Sequence, residues 1–309
     1  MARIAVVGSL NMDLVAVTPR LPAGGETLIG TRHFTAHGGK GANQAFAAAR
    51  LGGDVAMVGR VGDDAHGAAM RGNLAGAGCN VDGVRIVPGA SGVALILVSD
   101  GGENSIVVVP GANHAFSAAD LAADAATLGD ARYLLLQLES PIETVTAAAK
   151  LARSTGATVI LDPAPAAAEL PPDLLAQVDI LTPNESEAAM LAGLPADGAL
   201  TIEAATDVGQ ALRARGVGTA ILKLGARGCL IVGETVVPVA APRMEAVDTT
   251  AAGDVFNAGL AVALAEGTPL VEAATFAVHA AALSVTRYGA QPSMPERAEV
   301  DAFIAERAA

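Results

Sequence analysis

Short apolar runs alternate with longer stretches of helical periodicity along most of the chain. The runs are rich in Val, Ile and Leu without strict alternation, as in strands that are buried on both faces of a sheet. The strands that this pattern predicts are 4–7, 55–59, 131–138, 158–161, 179–181, 219–224 and 229–232. The predicted helices are 41–51, 65–77, 142–155, 185–194, 202–215, 252–265, 270–286 and 296–307. This alternation predicts an α/β fold with a doubly wound, mostly parallel sheet flanked by helices.

Two segments depart from this alternation. Residues 94–99 and 105–109 are strand-like runs joined by an Asp-Gly-Gly-Glu turn, in which glycine supplies the positive φ that a tight hairpin requires. The stretch 15–34 is extended and contains several prolines and glycines. These patterns predict a small antiparallel β lid, formed by about 14–37 and 93–110, on a single domain that covers all 309 residues. An ordinary edge hairpin is the alternative that the pattern leaves open.

Composition narrows the class of protein. Hydrophobic residues make up 52% of the chain and charged residues 17%, which excludes intrinsic disorder. The net charge of −13 repels phosphate backbones, so nucleic acid is not an expected partner. Cys79 and Cys229 are too few for a disulfide framework or a zinc cluster. Because the sequence shows no signal-like N-terminus and no apolar stretch that could span a bilayer, we expect a cytoplasmic protein without a membrane partner.

Small residues surround the start of the third-last predicted helix. Ala251, Ala252 and Gly253 leave the first N–H groups of that helix open to an anionic group. A carboxylate beside such a site, here Asp254, can accept a proton from an alcohol that attacks phosphorus. Phosphoryl transfer is therefore one interpretation of this segment. Capping of the helix by residues 248–249, with Asp254 stabilising the first turn, is the alternative.

Glycines also precede the first predicted helix. Lys40 lies in the run Gly-Gly-Lys-Gly-Ala-Asn, residues 38–43, but Gly41 stands where a Walker A loop needs Ser or Thr, so this is not a P-loop. The glycines let the backbone approach a ligand closely, and Asn43 can turn its amide to the same place. A loop that simply ends in a helix start is the alternative.

Polar side chains follow two of the predicted strands. Asn11 and Asp13, just after the first strand, point to one side of an extended chain. A carboxylate accepts two hydroxyl hydrogen bonds at once, which fits a vicinal diol, whereas an Asx-rich turn explains the same residues structurally. Glu139 lies at the carboxyl end of another strand, which is where doubly wound sheets bind ligands.

The segment Asp-Thr-Thr-Ala-Ala-Gly-Asp-Val-Phe, residues 248–256, resembles the C-terminal signature of the ribokinase/PfkB family of carbohydrate kinases. The Gly-Ser-x-Asn-x-Asp and Gly-Gly-Lys-Gly-Ala-Asn motifs and the Asn-x-x-Glu of 184–187 match the family as well, and the resemblance spans 6–303. It implies ATP-dependent phosphorylation of D-ribose at O5, with another sugar or a nucleoside as the alternative acceptor. A non-catalytic sugar or nucleotide sensor on the same fold is the alternative from another class.

The resemblance also assigns roles to residues. It makes Asp254 the catalytic base and gives the anion hole to the backbone of Ala251, Ala252 and Gly253. It assigns sugar binding to Asn11, Asp13, Gly39, Lys40, Gly41, Ala42, Asn43, Glu139 and Asp254. It assigns ATP binding to Asn184, Lys223, Leu224, Gly225, Ala226, Arg227, Gly228, Gly253 and His279.

Three of the nucleotide assignments leave alternatives. Val278 is as close to the expected adenine edge as His279. Lys223 stands where the family often carries Thr; a lysine there can pair with a nucleotide phosphate, but its role transfers less directly. A helix N-cap is the structural alternative for Asn184.

Cations and a second copy complete the expectations that the resemblance supports. Mg²⁺ is organised by Glu187 through water, as this ion prefers. A monovalent cation, usually K⁺, is held by hard oxygen ligands, including the backbone carbonyl of Arg287. The residues that match this cation site are Asp248, Thr250, Ser284, Arg287, Gly289 and Ser293. The apolar lid edge at 93–98 predicts a homodimer.

Overall fold

A nine-stranded sheet forms the centre of the molecule. The structure, a computed structural model, describes residues 1–196 and 198–308. In spatial order the strands are β13 (Val236–Val239), β12 (Cys229–Val232), β11 (Thr219–Lys223), β10 (Ile180–Leu181), β9 (Thr158–Leu161), β8 (Tyr133–Leu136), β1 (Ile4–Val7), β4 (Val55–Gly62) and β5 (Asn80–Val87). Neighbouring strands from β11 to β5 are parallel, and β12 and β13 add an antiparallel edge. The predicted mostly parallel sheet is confirmed.

Helices cover both faces of this sheet. They are α1 (Lys40–Arg50), α2 (Ala65–Gly76), α3 (Ala125–Gly129), α4 (Ile142–Ser154), α5 (Pro172–Leu175), α6 (Glu185–Leu191), α7 (Ile202–Ala214), α8 (Ala252–Ala265), α9 (Leu270–Ser284) and α10 (Arg297–Ala308). Alternate residues of β1 point to opposite faces, so Ile4 and Val6 join the core under α1, α8 and α9, while Ala5 and Val7 join the core under α4 and α7. The sheet is therefore doubly wound, as predicted.

Small side chains allow the helices to pack closely. A Cβ at Gly259 of α8 would lie 3.1 Å from the Cα of Ala277 in α9, which is too close for most larger residues. This close approach fits a chain in which aromatic residues are only 3%. In the part of the chain that the structure describes, no helix is long and apolar enough to cross a membrane.

A second sheet of four strands lies outside the main one. In spatial order its strands are β3 (Arg32–Gly38), β2 (Asn11–Thr18), β6 (Gly92–Ser99) and β7 (Asn104–Val109). β2 with β3 and β6 with β7 are antiparallel pairs, and parallel pairing of β2 with β6 joins them. The sheet uses 11–38 and 92–109, close to the predicted segments. The prediction that 93–98 forms the lid edge is wrong, because these residues lie in β6, which pairs with β2 on one side and β7 on the other. The edge strand is β7, which is exposed along its whole length.

Strands β2, β5 and β13 differ most from what the pattern predicts, while β4 runs three residues beyond its predicted end and β8 is two residues shorter at each end. β2 starts four residues before the predicted extended segment, at Asn11 rather than residue 15. β5 mixes apolar with polar residues and glycine because it lies at the edge of the sheet, so it lacks the apolar run of a strand buried on both faces. β13 contains Pro238, which edge strands tolerate because its missing N–H needs no partner there.

The order of the strands opens a crevice beside β1. The chain continues from β1 to β4 on one side, and β8 lies on the other side. The connections that leave the carboxyl ends of β1 and β8 therefore diverge, and ligands bind at such a topological switch point. Residues 8–13 and 137–139 follow these two strands, so the fold brings the predicted sugar-binding positions together.

Candidate active site

Glu139 is the centre of a polar cluster at the switch point. Its Oε2 accepts hydrogen bonds from Ser9 Oγ at 2.5 Å and from the backbone N–H of Lys40 at 3.0 Å. The amide of Asn11 lies at the same oxygen, with Nδ2 at 3.4 Å. The end of β1, the start of β2 and the start of α1 thus meet at one carboxylate. Three of these residues were assigned to the sugar by resemblance, and Ser9 is an addition from the structure.

Asp13 lies against the glycine loop that precedes α1. A Cβ at Gly38 would stand 2.4 Å from Asp13 Oδ2, and Gly39 has a φ of +87°, so only glycine suits this close turn. Burial, and next the charge of Glu139, raise the pKa of Asp13 to about 7. Hydroxyl groups of a ligand that donate to the ionised carboxylate would lower that pKa again.

Asp254 is buried in the first turn of α8, with an exposed fraction of 5%. Asn43 Nδ2 donates to its Oδ2 at 3.0 Å, and Gln44 Nε2 donates to its Oδ1 at 3.1 Å. Burial raises the pKa of Asp254 to about 6, although the positive charge of Lys40 and the two amide donors oppose this rise. A carboxylate with this pKa is ionised at neutral pH and still basic enough to accept a proton.

The helix that carries Asp254 begins in an unusual conformation. Among the residues that the structure describes, Ala251 is the one non-glycine residue with a positive φ, at +60°, and no side chain caps α8. Capping by residues 248–249, the alternative interpretation of this segment, is therefore wrong. Ala252 N–H donates to Thr249 O at 3.2 Å and Val255 N–H to Ala251 O at 3.0 Å, so the N–H groups of Gly253 and Asp254 are the ones in the first turn that are open to a ligand. Strain at a helix start of this kind is typical of functional sites.

Lys40 supplies positive charge to the crevice. Burial lowers the pKa of its ammonium, but surrounding carboxylates outweigh burial and raise that pKa above its usual value. The carboxylates are those of Asp254, Asp162, Glu139 and Glu187. The polar cluster around Glu139 and the carboxylate of Asp254 thus share one electrostatic environment.

A cavity of about 320 Å³ adjoins the start of α8. Asn184, Lys223, Gly225, Ala226, Gly228 and Gly253 line it, which are six of the nine positions assigned to ATP. Apolar side chains also line it, from Pro242, Met244 and Phe256 and from Val278 and Val285 in and just after α9. A lining that combines Asn184 and Lys223 with apolar side chains suits a ligand that has both a charged and an apolar part.

Comparison with known proteins identifies the family. The sequence pattern of the pfkB family carbohydrate kinases matches residues 1–297. The chain belongs to this family of carbohydrate kinases. It is 43% identical to the ribokinase of Bacillus subtilis, over 98% of this chain and 100% of that protein, and 38% identical to the deoxyribokinase of Salmonella typhi, over 97% and 98%. The structure of Arabidopsis thaliana ribokinase complexed with ribose and ATP has a TM-score of 0.91 and 37% identity, and covers 98% of each chain.

Three residues assigned to ATP lie differently in this kinase from what the resemblance implies. His279 turns away from the cavity: its Nδ1 is 2.8 Å from Thr275 O and its ring packs edge-on against Phe303. Val278 lines the cavity instead, as the alternative assignment has it. The guanidinium of Arg227 pairs with Glu185. The side chain of Leu224 is buried in the core under α4 and α7.

Asn184 and Glu187 of the kinase hold each other in a capping box at the start of α6. Asn184 Nδ2 donates to Glu187 Oε1 at 2.9 Å, and the backbone N–H of each residue donates to the side chain of the other at 2.8 Å. The helix cap is therefore real, and Asn184 also lines the cavity beside α8. Burial raises the pKa of Glu187. Because both Glu187 oxygens already accept a hydrogen bond, contact with Mg²⁺ through water fits this residue better than direct coordination.

Asp248 joins two segments to which the sequence analysis assigns a monovalent cation. Its Oδ1 accepts from the backbone N–H and the hydroxyl of Thr250, and its Oδ2 accepts from Gly289 N–H at 2.8 Å. Burial alone would raise the pKa of Asp248, but these donors lower it below its usual value. Arg287 directs its guanidinium to Glu299 at 2.6 Å, which leaves its carbonyl as its possible ligand. Oxygen donors held in this way fit a hard cation.

Several residues of the site were missed in the sequence. Asp162 accepts from Gln44 Nε2 at 3.1 Å, and Gln137 Nε2 donates to Gln44 Oε1 at 2.6 Å. Asn113 Nδ2 donates to Asn11 Oδ1 at 2.8 Å. Asp162 follows a predicted strand as Glu139 does, so the same signal was available for it. The amides carried no signal of their own, because Asn and Gln occur throughout loops and helices.

Proposed function

We propose that this kinase transfers the γ-phosphoryl group of ATP to O5 of D-ribose, giving D-ribose 5-phosphate and ADP. Similarity to the Bacillus subtilis ribokinase and to the Arabidopsis structure with ribose and ATP supports both substrates. The observation that carries the proposal is the position of Asp254. This buried carboxylate stands at a helix start, accepts a hydrogen bond from Asn43 in the first turn of α1, and adjoins the proposed nucleotide cavity at Gly253.

Asp254 acts as the general base of the reaction. It accepts the proton of the 5-hydroxyl as O5 forms a bond to the γ-phosphorus, while the bond from that phosphorus to the bridging oxygen breaks and ADP leaves with the electron pair. The N–H groups of Gly253 and Asp254 donate to oxygens of the transferred group, where negative charge is concentrated. Ala251 and Ala252 shape this turn, Ala251 through its left-handed backbone.

The cluster around Glu139 orients the sugar. Its carboxylates accept hydrogen bonds from sugar hydroxyl groups, and its amides can donate to sugar oxygens. The residues proposed to contact or border ribose are Asn11, Asp13, Gly39, Lys40, Gly41, Ala42, Asn43 and Glu139. Lys40 begins α1 and balances the negative charge of the surrounding carboxylates.

The cavity beside α8 binds ATP. Asn184 and Lys223 face the phosphates together with the loop 225–228, and Val278 packs against the base. Mg²⁺, when bound, would neutralise phosphate charge, with Glu187 holding it through water. A monovalent cation such as K⁺ would be held by Asp248 and by carbonyl oxygens around it, including that of Arg287, and would favour anionic groups near the start of α8.

The small sheet is proposed to act as a lid over the sugar and as the contact between two copies of the chain. Asn11 and Asp13 lie in β2, so movement of this sheet would carry sugar-binding groups with it. Closure would exclude water, which would otherwise accept the phosphoryl group and waste ATP. Exposed β7 offers an edge to a second copy, so we propose a homodimer through the lid, in the cytoplasm where ATP is available.

A coupled assay of ADP release tests this proposal. Ribose, 2-deoxyribose, fructose and adenosine are compared as acceptors, and ³¹P NMR identifies the phosphorylated position. We expect the highest kcat/KM with ribose and phosphorylation at O5. Asp254→Asn should lower kcat by about 10²- to 10⁴-fold while circular dichroism stays unchanged. Turnover by Asp254→Asn equal to wild type would refute the assignment of the base.

Phosphorylation of 2-deoxyribose is the second candidate function. The deoxyribokinase of Salmonella typhi is 38% identical to this chain, almost as similar as the ribokinase of Bacillus subtilis. Overall similarity therefore does not separate ribokinases from deoxyribokinases. The two sugars differ in one hydroxyl, so a site that binds this hydroxyl with a buried polar group rejects the deoxy sugar strongly. A kcat/KM for 2-deoxyribose at or above that for ribose would assign the kinase to the second function.

A further inference from the structure

Three amide side chains connect Asp254 to the outside of the kinase. Asn43 Nδ2 donates to Asp254 Oδ2 at 3.0 Å, Gln291 Nε2 donates to Asn43 Oδ1 at 3.2 Å, and Asn73 Nδ2 donates to Gln291 Oε1 at 2.6 Å. We call Asn73, Gln291 and Asn43 the amide relay. Its members come from α2, from the turn after α9 and from α1, so no local element places them together.

The relay is buried at its inner end and accessible at its outer end. Asn43 and Gln291 are buried, with exposed fractions of 7% and 4%. Asn73 is half-buried and lines an open groove with Phe46, Arg50 and Glu296. A substitution at Asn73 therefore reaches the relay without changing the packing of the core.

The charge of Asp254 fixes the direction of every hydrogen bond in the relay. An ionised carboxylate only accepts, so Asn43 must present its N–H to Asp254 and its Oδ1 to Gln291. Gln291 must then donate to Asn43 and present its own oxygen to Asn73, which must donate in turn. The orientation of all three amides follows from this donor and acceptor logic. Hydrogen bonds aligned in one direction also strengthen one another.

We propose that Gln291 and Asn73 are positioning residues for proton transfer: they hold the amide of Asn43 with its N–H toward Asp254. The inference rests on the proposed role of Asp254 as the base. A turned Asn43 would present its oxygen to the carboxylate of Asp254 in place of a donor, which favours protonation of the base. Charged groups that face the two ends of the relay are Lys40 and Asp162 at Asp254, and Arg50 and Glu296 at Asn73.

Two substitutions at one position separate this role from packing. Asn73→Asp keeps the size of the side chain but leaves only acceptors, so Gln291 would have to turn its N–H outward and its oxygen toward Asn43. Asn73→Ala removes the donor without reversing the relay. We expect kcat for ribose to fall roughly 3- to 10-fold in Asn73→Asp and less than about 3-fold in Asn73→Ala, with KM for ATP unchanged in both.

The pH dependence of kcat is a second measurement, which a purely structural role of Asn73 in packing would not change. Loss of a donor to the ionised base raises its pKa, so the acid limb of kcat should shift to higher pH in Asn73→Asp. Asn80→Asp, the same change on the exposed strand β5, and Glu296→Gln, a charge change in the same groove, should both behave as wild type. Gln291→Met should lower kcat at least as much as Asn73→Asp while KM for ATP is kept.

Whether Asn73→Asp lowers kcat more than Asn73→Ala does tests the positioning role of the relay. If Asn73→Asp is as active as wild type, or is less impaired than Asn73→Ala, the relay does not position the base. Measuring Asp254→Asn in the same assay distinguishes failure of the relay proposal from failure of the assignment of Asp254 as the base. An inactive Asp254→Asn with normal Asn73 variants overturns the relay alone, whereas an active Asp254→Asn overturns the assignment of the base on which it rests.

Discussion

Lys223 Nζ lies 2.8 Å from Asp162 Oδ1 and joins the cavity beside α8 to the hydrogen bonds around Asp254. A Cβ at Gly253 would stand 3.2 Å from the same Nζ, so the ammonium also borders the anion-facing turn. The exposed fractions of the two side chains are 12% and 2%, so water screens this ion pair little. Gln44 continues the network, because its Nε2 donates both to Asp162 and to Asp254.

Lys223→Met should impair ATP binding and stability together. The substitution removes a cation from the phosphate end of the cavity, and we expect KM for ATP to rise about tenfold or more. It also leaves the buried carboxylate of Asp162 without its partner, which should lower the free energy of unfolding by about 3–5 kcal/mol. Urea denaturation and initial rates at varied ATP measure the two effects.

The double variant Lys223→Met/Asp162→Asn separates the two roles of this lysine. Without the unpaired carboxylate, most of the lost stability should return, because replacement of a whole buried ion pair is often neutral. KM for ATP should stay high, since the cation is still absent. If the double variant regains ATP affinity, Lys223 serves only to neutralise Asp162.

Asp13 should make sugar binding depend on pH. Its pKa of about 7 belongs to the sugar-free kinase, and hydroxyl donors from ribose stabilise the ionised form and lower this pKa. Between the bound and the free pKa, binding therefore releases a proton, and affinity for ribose rises with pH until it levels off above about 7. Calorimetry in buffers of different ionisation enthalpy measures the proton release.

Asp13→Asn provides the control for this pH dependence. The variant should bind ribose more weakly and without proton release near pH 7, because its amide does not titrate. The charge of Glu139 contributes to the raised pKa of Asp13, so Glu139 is left unchanged when Asp13→Asn is compared with the wild type. A wild-type affinity that is constant from pH 5 to 8 would contradict the assignment of Asp13 to the sugar hydroxyls.

The main sheet could be predicted because its strands are buried on both faces. Ile4–Val7 and Thr158–Leu161 have the predicted bounds, since each is a continuous apolar run between polar turns. The edge strands β5 and β13 could not be predicted in the same way, because solvent on one side permits polar residues and proline. Burial, more than strand formation itself, is what the apolar pattern reports.

The charged groups of the site were easier to predict than the amides that orient them. Asp254 and Glu139 stand out because carboxylates are unusual beside a helix start or at the end of an apolar strand. Gln44 and Gln291 join the site only because the fold brings distant segments of the chain close to Asp254. The local spacing of residues in the sequence does not indicate such long-range contacts. The side chain of His279 was misplaced because helix position alone did not show which neighbour faces the cavity.

Monovalent cations should stimulate the kinase through Asp248. Replacement of a large organic cation by K⁺ should raise kcat several-fold, and Asp248→Asn should remove most of this response, because Asn cannot accept from both Thr250 and Gly289. Arg287→Ala is the matched control. It deletes a guanidinium that pairs with Glu299 and keeps the backbone carbonyl, so the K⁺ response should remain. Loss of the response in Arg287→Ala, but not in Asp248→Asn, would exclude the proposed ligands.

The exposed edge of the small sheet should mediate dimerisation. Ile106 and Val108 point to one side of β7 and Val107 and Val109 to the other, and their exposed fractions are between 45% and 58%. Apolar side chains exposed on both sides of an edge strand are best buried by a second copy. Val108→Lys should therefore convert a dimer into monomers in light scattering, whereas Ile202→Lys, an exposed apolar position on α7, should leave the dimer intact. A wild-type protein that is monomeric in the same measurement would contradict the lid interface.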